Sequence, residues 1–418
     1  VVPSPLGLPP AARFAAAVVT AQVLVQIGAF TLPALLPHYL GAWSLSATQA
    51  GWLIGAFFGA YVAAVPVLVA LTDRVPARRI YLAGAGATAL SHLGFACLAD
   101  GFWSGLALRA LAGIGWAGCY MPGLKVIVDR LEGDAQSRAV TWHAAGVGIA
   151  GAASFAVAGA LDRLGGPLAA FAFGAACAMA AFAIGWAALP SATPRAAASP
   201  AALLDFRPVL RNRAAMAWIA GYTVHTWELA ALRAWGVTFL AAAIALHGAP
   251  LWLPGPSVLF TVAGLVGIAV SVTGNETAQR FGRPRVVAAA MGTAALLALL
   301  AGCSLTVSAP LAALCVLAWN AALYLDSSAL TAGTVQAAEK ERRGATMGLH
   351  SMCGYAGGLL GPIGVGLALD LAGTGELGWA LAFGHLALVT LAGLVVLRRL
   401  GRPAMAARSA GPASEAGA

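Results

Sequence analysis

Four ionisable side chains stand inside otherwise apolar stretches of this chain: Arg109, Glu228, Arg233 and Asp326. A charge at mid-bilayer costs about 3 kcal/mol on insertion scales, so each is expected to face a partner or a water-filled space. Glu228 follows His225 by three residues, which places both on one helical face. A carboxylate held away from water with an imidazole beside it has the chemistry to take up and release a proton. A structural pair with another helix is the other use for Glu228. Arg109 shares a face with Gly113, Trp116 and Tyr120, giving one fixed cation beside two aromatic rings. That arrangement suits an anion site or a coupling switch, or else a cap on backbone carbonyls of a neighbouring helix. Arg233 lies about 140° round the helix from Glu228, so the two are not expected to pair. It lines up instead with Tyr222 and Thr226.

Uncharged groups add to the set. Gln22 and Gln26 are four apart and share a face, where their amides can bond a solute or glue two helices together. Asn320, Tyr324 and Ser327 share another face suited to a cavity, while Asp326 points roughly 120° away from Asn320, toward packing or a helix end. His143 and His350 stand at equivalent places in the two halves of the chain and read as structural.

The elements that carry these residues are long and greasy. Of 418 residues, 60% are hydrophobic and 9% charged, and the mean hydropathy is +0.84. Such a chain cannot cover itself with polar surface in water, so lipid is its expected solvent. The 51 glycines suit close packing of helices in a membrane. Six cysteines are scattered singly through apolar runs, with no metal or disulfide spacing. The net charge of +9 sits in short clusters between apolar runs, with no basic helix face for nucleic acid. There is no phosphate loop, no metal-ligand set and no nucleophile–base set, so neither ATP-driven work nor an enzyme is expected, and no cofactor.

A span needs about 20 apolar residues, and the chain offers twelve: roughly 13–36, 48–72, 80–99, 102–126, 139–161, 167–189, 214–242, 256–275, 285–305, 309–334, 345–369 and 378–398. The first, from Phe14 to Leu36, is too long for a signal-peptide core. With both termini cytoplasmic, 20 of the 24 basic residues fall on the cytoplasmic side and one, Arg163, outside. Lys125, Arg109 and Arg233 lie within helices. A weak repeat spans half the chain: Asp73–Arg74 aligns with Gln279–Arg280, and His143, Gly151 and Gly159 with His350, Gly358 and Gly366. The expected organisation is a six-helix bundle over 1–189, a cytoplasmic linker over 190–213, a second six-helix bundle over 214–399 and a disordered cytoplasmic tail over 400–418. Gly51, Gly55 and Gly59 form a small-residue stripe on the second span, and Gly354, Gly358 and Gly361 are similarly placed on the eleventh, which lets helices approach and slide.

Val69-Ala-Leu-Thr-Asp73-Arg74-Val-Pro76-Ala77-Arg78-Arg79 resembles the loop signature of the major facilitator superfamily, although Val69, Pro76 and Ala77 depart from it. Arg280-Phe-Gly282-Arg283 keeps the tail of that signature in the second half, with Gln279 in place of the acid. Arg109-Ala-Leu-Ala-Gly113-Ile-Gly115 matches the family's fourth-span signature, and the Gly-Pro pair of its antiporters is missing. The segment Gly221–Trp235 is similar to the seventh span of the family's cyanate and nitrate-like permeases. The resemblance implies an all-α membrane protein of twelve helices in two pseudo-symmetric halves, working by alternating access. Spans one, four, seven and ten would line the passage, and Asp73, Arg74, Arg78, Arg280 and Arg283 would gate it on the cytoplasmic side. The expected function is secondary active transport of a small solute, read as an anion from the two arginines, by proton-coupled symport. A proton-driven exporter of drugs or metabolites is the alternative, and a non-transporting membrane sensor the more distant one. The expected partners are a small-molecule substrate, protons and the bilayer, with the chain a monomer in a bacterial-type cytoplasmic (inner) membrane.

Overall fold

The computed structural model describes residues 9–72, 74–191 and 205–409. Apolar stretches without water must satisfy their own backbone, and all the long ones here are helical. In chain order the helices are α1 (Pro10–Gln26), α2 (Thr31–Ala34), α3 (Leu36–Ala42), α4 (Ala47–Leu71), α5 (Ala77–Cys97), α6 (Phe102–Arg130) and α7 (Gly133–Ala188). There follow α8 (Arg207–Arg211), α9 (Arg213–His247), α10 (Pro256–Phe281), α11 (Arg283–Cys303), α12 (Ala309–Ala337), α13 (Arg343–Ala372) and α14 (Glu376–Ser409). Ten helices among the described residues are long and apolar enough to cross a membrane.

Two departures from simple spans bring the number of crossings to twelve. α7 is two helices meeting at Gly165–Gly166, where Gly166 takes φ 70. Its second limb runs back beside the first: Gly185 packs on the Tyr81 ring of α5, and Gly123, beside the same ring, also meets His143. The first span, expected to be one helix, is broken. α1 stops at Gln26, residues 27–30 form turns, and the chain resumes as α2 and α3. Sequence hydropathy has no means of showing this, because Ile27, Ala29 and Phe30 are as apolar as their neighbours. Elsewhere the ends are conventional: Asn212 caps α9 by accepting from Ala215 N–H at 3.0 Å, and Ser308 caps α12 by accepting from Leu311 N–H at 3.2 Å. The expected linker falls mostly on residues outside those described. Of the expected disordered tail, residues up to Ser409 continue α14, and the rest lies outside the described residues.

The helices form two six-helix halves, and the seam between them is tight on the face away from the chain ends. Along it α4 meets α13 through glycines. A methyl group placed on Gly51 would lie 2.5 Å from the Pro362 carbonyl oxygen, and one on Gly366 would lie 2.2 Å from that of Ala47. Backbone thus touches backbone, which only a missing side chain allows. α7 meets α10 in the same layer: Thr261 donates to the Ala152 carbonyl at 2.8 Å and accepts from Ala156 N–H at 2.9 Å. The Phe155 and Phe260 rings lie beside them, 5.3 Å apart. The stripe Gly51, Gly55 and Gly59 faces Pro362, Ile363 and Leu359, and Gly358 faces Phe58.

Candidate functional site

The break in the first span is the centre of the site. Phe30 N–H donates to Ser154 at 3.0 Å, holding the turn against α7. Arg109, on α6, donates to the freed carbonyl of Ala29 at 3.4 Å and lies over the Phe57 ring at 4.9 Å. It is 2% exposed, so in this state it serves the carbonyl-capping role. From the other half Arg233, on α9, approaches the same turn. Its guanidinium lies over Phe30 at 5.1 Å and over Tyr324 at 5.7 Å, and it donates to the Tyr324 hydroxyl. Arg233 is partly exposed, and among the described residues no carboxylate is within ion-pairing distance of it. Two guanidiniums, one from each half, therefore flank residues 29 and 30, and the one from the second half is uncompensated.

Below this turn, toward the chain ends, aromatic rings from both halves converge. Trp116 lies 4.7 Å from Tyr61, 5.2 Å from Tyr355 and 6.4 Å from Tyr120. Tyr61 and Tyr355 lie 4.3 Å apart across the seam. Tyr222 stacks on His350 at 3.8 Å. Tyr355 is within electrostatic reach of Tyr120, Tyr222 and Arg233. Tyr120, Tyr222 and Tyr355 are each partly exposed. Phe30, Phe57, Tyr61 and Tyr355 escape detection in the sequence, because an aromatic ring in an apolar span carries no signal of its own.

The first half holds buried polar atoms that have no hydrogen-bond partner. Gln22 is 0% exposed with neither amide atom bonded, Gln26 has a bare carbonyl oxygen, His143 has two bare ring nitrogens, and the Trp116 indole N–H is also unpaired. Buried polar groups are seldom left so, because each forfeits its hydration. His143 lies against the Tyr120 ring at 5.2 Å.

The second half pairs some of its polar atoms and leaves others bare, among them the Trp227 and Trp379 indole N–H groups and the Thr238 hydroxyl. Glu228 is 1% exposed. It accepts from the Trp319 indole N–H and the Thr390 hydroxyl, both at 2.5 Å. Helical spacing offers it His225 as a partner, but His225 turns to Asp326 instead, with Nδ1 2.8 Å from the carboxylate oxygen. That approach lies off the ring's hydrogen-bonding direction. His350, the counterpart of His143, meets the hydroxyl of Thr334 at 3.1 Å. Asn320 donates to the Ala263 carbonyl at 2.7 Å and so ties α12 to α10.

Of the expected gate residues, Asp73 lies outside those described. Arg74 and Arg280 are exposed. Arg78 lies over the Trp186 ring at 4.7 Å within the first half, and Arg283 donates to Gln336 at 2.5 Å within the second. A separate cavity of about 1050 Å³ opens at this end of the second half, between Trp218, Arg283, Arg285, Gln336 and Arg398. It touches no helix of the first half and stands apart from the site above.

Solved structures share this fold. A bacterial homologue of the human lysosomal transporter Spinster, inward-facing and occupied, superposes with a TM-score of 0.73 at 18% identity, over 96% of this chain and 98% of that one. A mutant of the nucleoside transporter NupG superposes with a TM-score of 0.74 at 13% identity, over 93% of this chain and 99% of that one. No curated protein sequence matches. The sequence pattern of the Major Facilitator Superfamily matches residues 18–362, and with two six-helix halves meeting at a buried polar centre the chain belongs to that superfamily of membrane transporters.

Proposed function

We propose that this protein is a proton-coupled transporter that carries a small organic anion through the seam between its halves by alternating access. The observation that carries the anion reading is Arg233: a cation in the passage, seated between the Phe30 and Tyr324 rings, with no carboxylate partner among the described residues. An unpaired charge in such a place is costly unless a mobile anion completes it. A cationic solute finds nothing equivalent, since Glu228 is committed to Trp319 and Thr390 and Asp326 to His225. The likeness of Gly221–Trp235 to cyanate and nitrate-like permeases supports the same reading.

Coupling falls to the second half. Glu228, His225 and Asp326 put two carboxylates and one imidazole into one buried region between α9, α12 and α14, the Glu228 charge lying within reach of both others. Such a group can hold or release one proton while keeping its hydrogen bonds, and it touches the same helix that carries Arg233. The chain-end face, rich in arginine, is assigned to the cytoplasm of a bacterial-type inner membrane, where Arg74 and Arg280 are exposed and, with Arg78 and Arg283 released from Trp186 and Gln336, would clamp the halves in the opposite state. The carrier acts as a monomer and a symporter.

The test is uptake of small anions by the purified protein in proteoliposomes, with and without an inward-acid pH gradient. Anion accumulation that rises with the gradient and is lost in Arg233→Gln is expected. pH-driven movement of cationic dyes without anion transport overturns the reading in favour of an exporter.

A further inference from the structure

We propose that the substrate is a planar aromatic carboxylate, a single-ring acid with a hydrogen-bonding group on or in the ring. The inference rests on the anion reading above and names the class of anion.

The charge count comes first. Arg109 is buried, and its guanidinium is taken up by the Ala29 carbonyl and the Phe57 face. Arg233 alone offers an uncompensated positive charge to the passage, which matches one carboxylate rather than a dianion. Its planar fork suits the two oxygens of a carboxylate. The Tyr324 hydroxyl, which accepts from Arg233, stands beside the same position.

The walls come second. A small inorganic anion or acetate would fill only the guanidinium end. From Arg233 to Tyr222 is eleven residues along α9, about 16 Å of helix. Over that depth Tyr355, Tyr120, Tyr222 and Trp116, contributed by α13, α6 and α9, cluster where the two halves meet. Three of these rings, Tyr120, Tyr222 and Tyr355, are partly exposed. A flat ring slides between such faces with edge or offset contacts, whereas a puckered aliphatic ring of the same carbon count does not stack.

The bare polar atoms come third. Gln22, fully buried, and Gln26 bring an unpartnered amide and an unpartnered carbonyl oxygen from α1, and Trp116 brings an unpartnered indole N–H. A ring nitrogen, hydroxyl or amine on the solute satisfies them. A purely hydrocarbon ring would leave them unpaired.

The experiment is a ligand panel on the full-length protein in proteoliposomes, with thermal stabilisation of the same protein in detergent as a second readout. The probes are nicotinate, 4-hydroxybenzoate and benzoate, then cyclohexanecarboxylate, acetate and nitrate, then nicotinamide and benzylammonium. Nicotinate or 4-hydroxybenzoate is expected to be carried or bound about tenfold better than cyclohexanecarboxylate and acetate. Tyr120→Leu, at a partly exposed wall position, is expected to lower the preference for the aromatic acids over acetate. Equal or better handling of cyclohexanecarboxylate, acetate or nitrate overturns the aromatic class and leaves the anion reading standing. Nicotinamide or benzylammonium carried while the acids are silent overturns both. Silence of all three aromatic acids in both readouts also overturns the proposal.

Discussion

The Asp370 carboxylate at the end of α13 accepts hydrogen bonds from the backbone N–H groups of Ala47 and Thr48, each at 2.8 Å, and so caps the first turn of α4 in the opposite half of the molecule. A helix N-terminus offers unpaired N–H groups and a partial positive charge, and a carboxylate meets both. Here the cap is supplied by the other half, so it exists only while the far face is closed.

Asp370→Ala is therefore expected to weaken the closed state by about 1 kcal/mol, the usual worth of an N-cap. Hydrogen exchange read on the segment spanning residues 45–51 checks this. Faster exchange there, with the rest of α4 and α13 unchanged, is the expected outcome. Uniform change across both halves would show a fold defect instead.

Gly366→Leu should act on the same closure by sterics. Its side chain would meet the Ala47 carbonyl, which a β-carbon alone would approach to 2.2 Å. Helix backbones at that spacing cannot yield without parting the seam. The variant is expected to abolish net transport while the protein still folds and elutes as the parent does on size exclusion. Wild-type transport rates would remove the seam from the cycle.

Glu228→Gln tests the coupling reading. The amide can keep its oxygen on the Trp319 N–H and turn its NH2 to the Thr390 hydroxyl, which then accepts, so both contacts survive with the charge removed. Anion exchange without a pH gradient is expected to survive, and the stimulation by the gradient to vanish. Stimulation left intact would move the proton elsewhere, with Asp326→Asn the next variant.

Gln22→Leu separates a binding role from a structural one. A buried amide with no partner contributes no hydrogen bond to the fold, so an apolar side chain of similar size is expected to leave the melting temperature unchanged or raise it. If Gln22 bonds the solute, KM should rise about tenfold, the worth of one hydrogen bond lost in a buried site. A fall in melting temperature with unchanged KM would assign Gln22 to packing.

Charge in a hydrophobic background is conspicuous, and that is why Arg109, Glu228, Arg233 and Asp326 are legible from residue types alone. Helical spacing sets Arg109, Trp116 and Tyr120 on one face, and in the structure Arg109 and Trp116 both meet the Phe57 ring while Tyr120 lies next to Trp116. What spacing cannot give is the partner from another helix. His225 goes to Asp326 and Glu228 to Trp319 and Thr390, and the latter two are 91 and 162 residues away. Likewise the Arg109 guanidinium meets a carbonyl that is free only because the first span is interrupted. Repeat symmetry misleads in one respect: His143 and His350 align in sequence, yet His350 is bonded to Thr334 and His143 is bare.

The interruption at residues 27–30 divides the first span into parts with different loyalties. α1 lies along α7 and moves as part of the first half. α3 sits at the far seam, where Tyr39 packs on Phe95 and Phe171 while α2 and α3 also touch α9. A continuous rod would have to carry any tilt of its inner end through to its outer end. A jointed one lets the inner rod swing with its bundle while the outer piece stays seated as a plug, so the bolt on one side of the bilayer can be held shut during the whole of the stroke that loads the other.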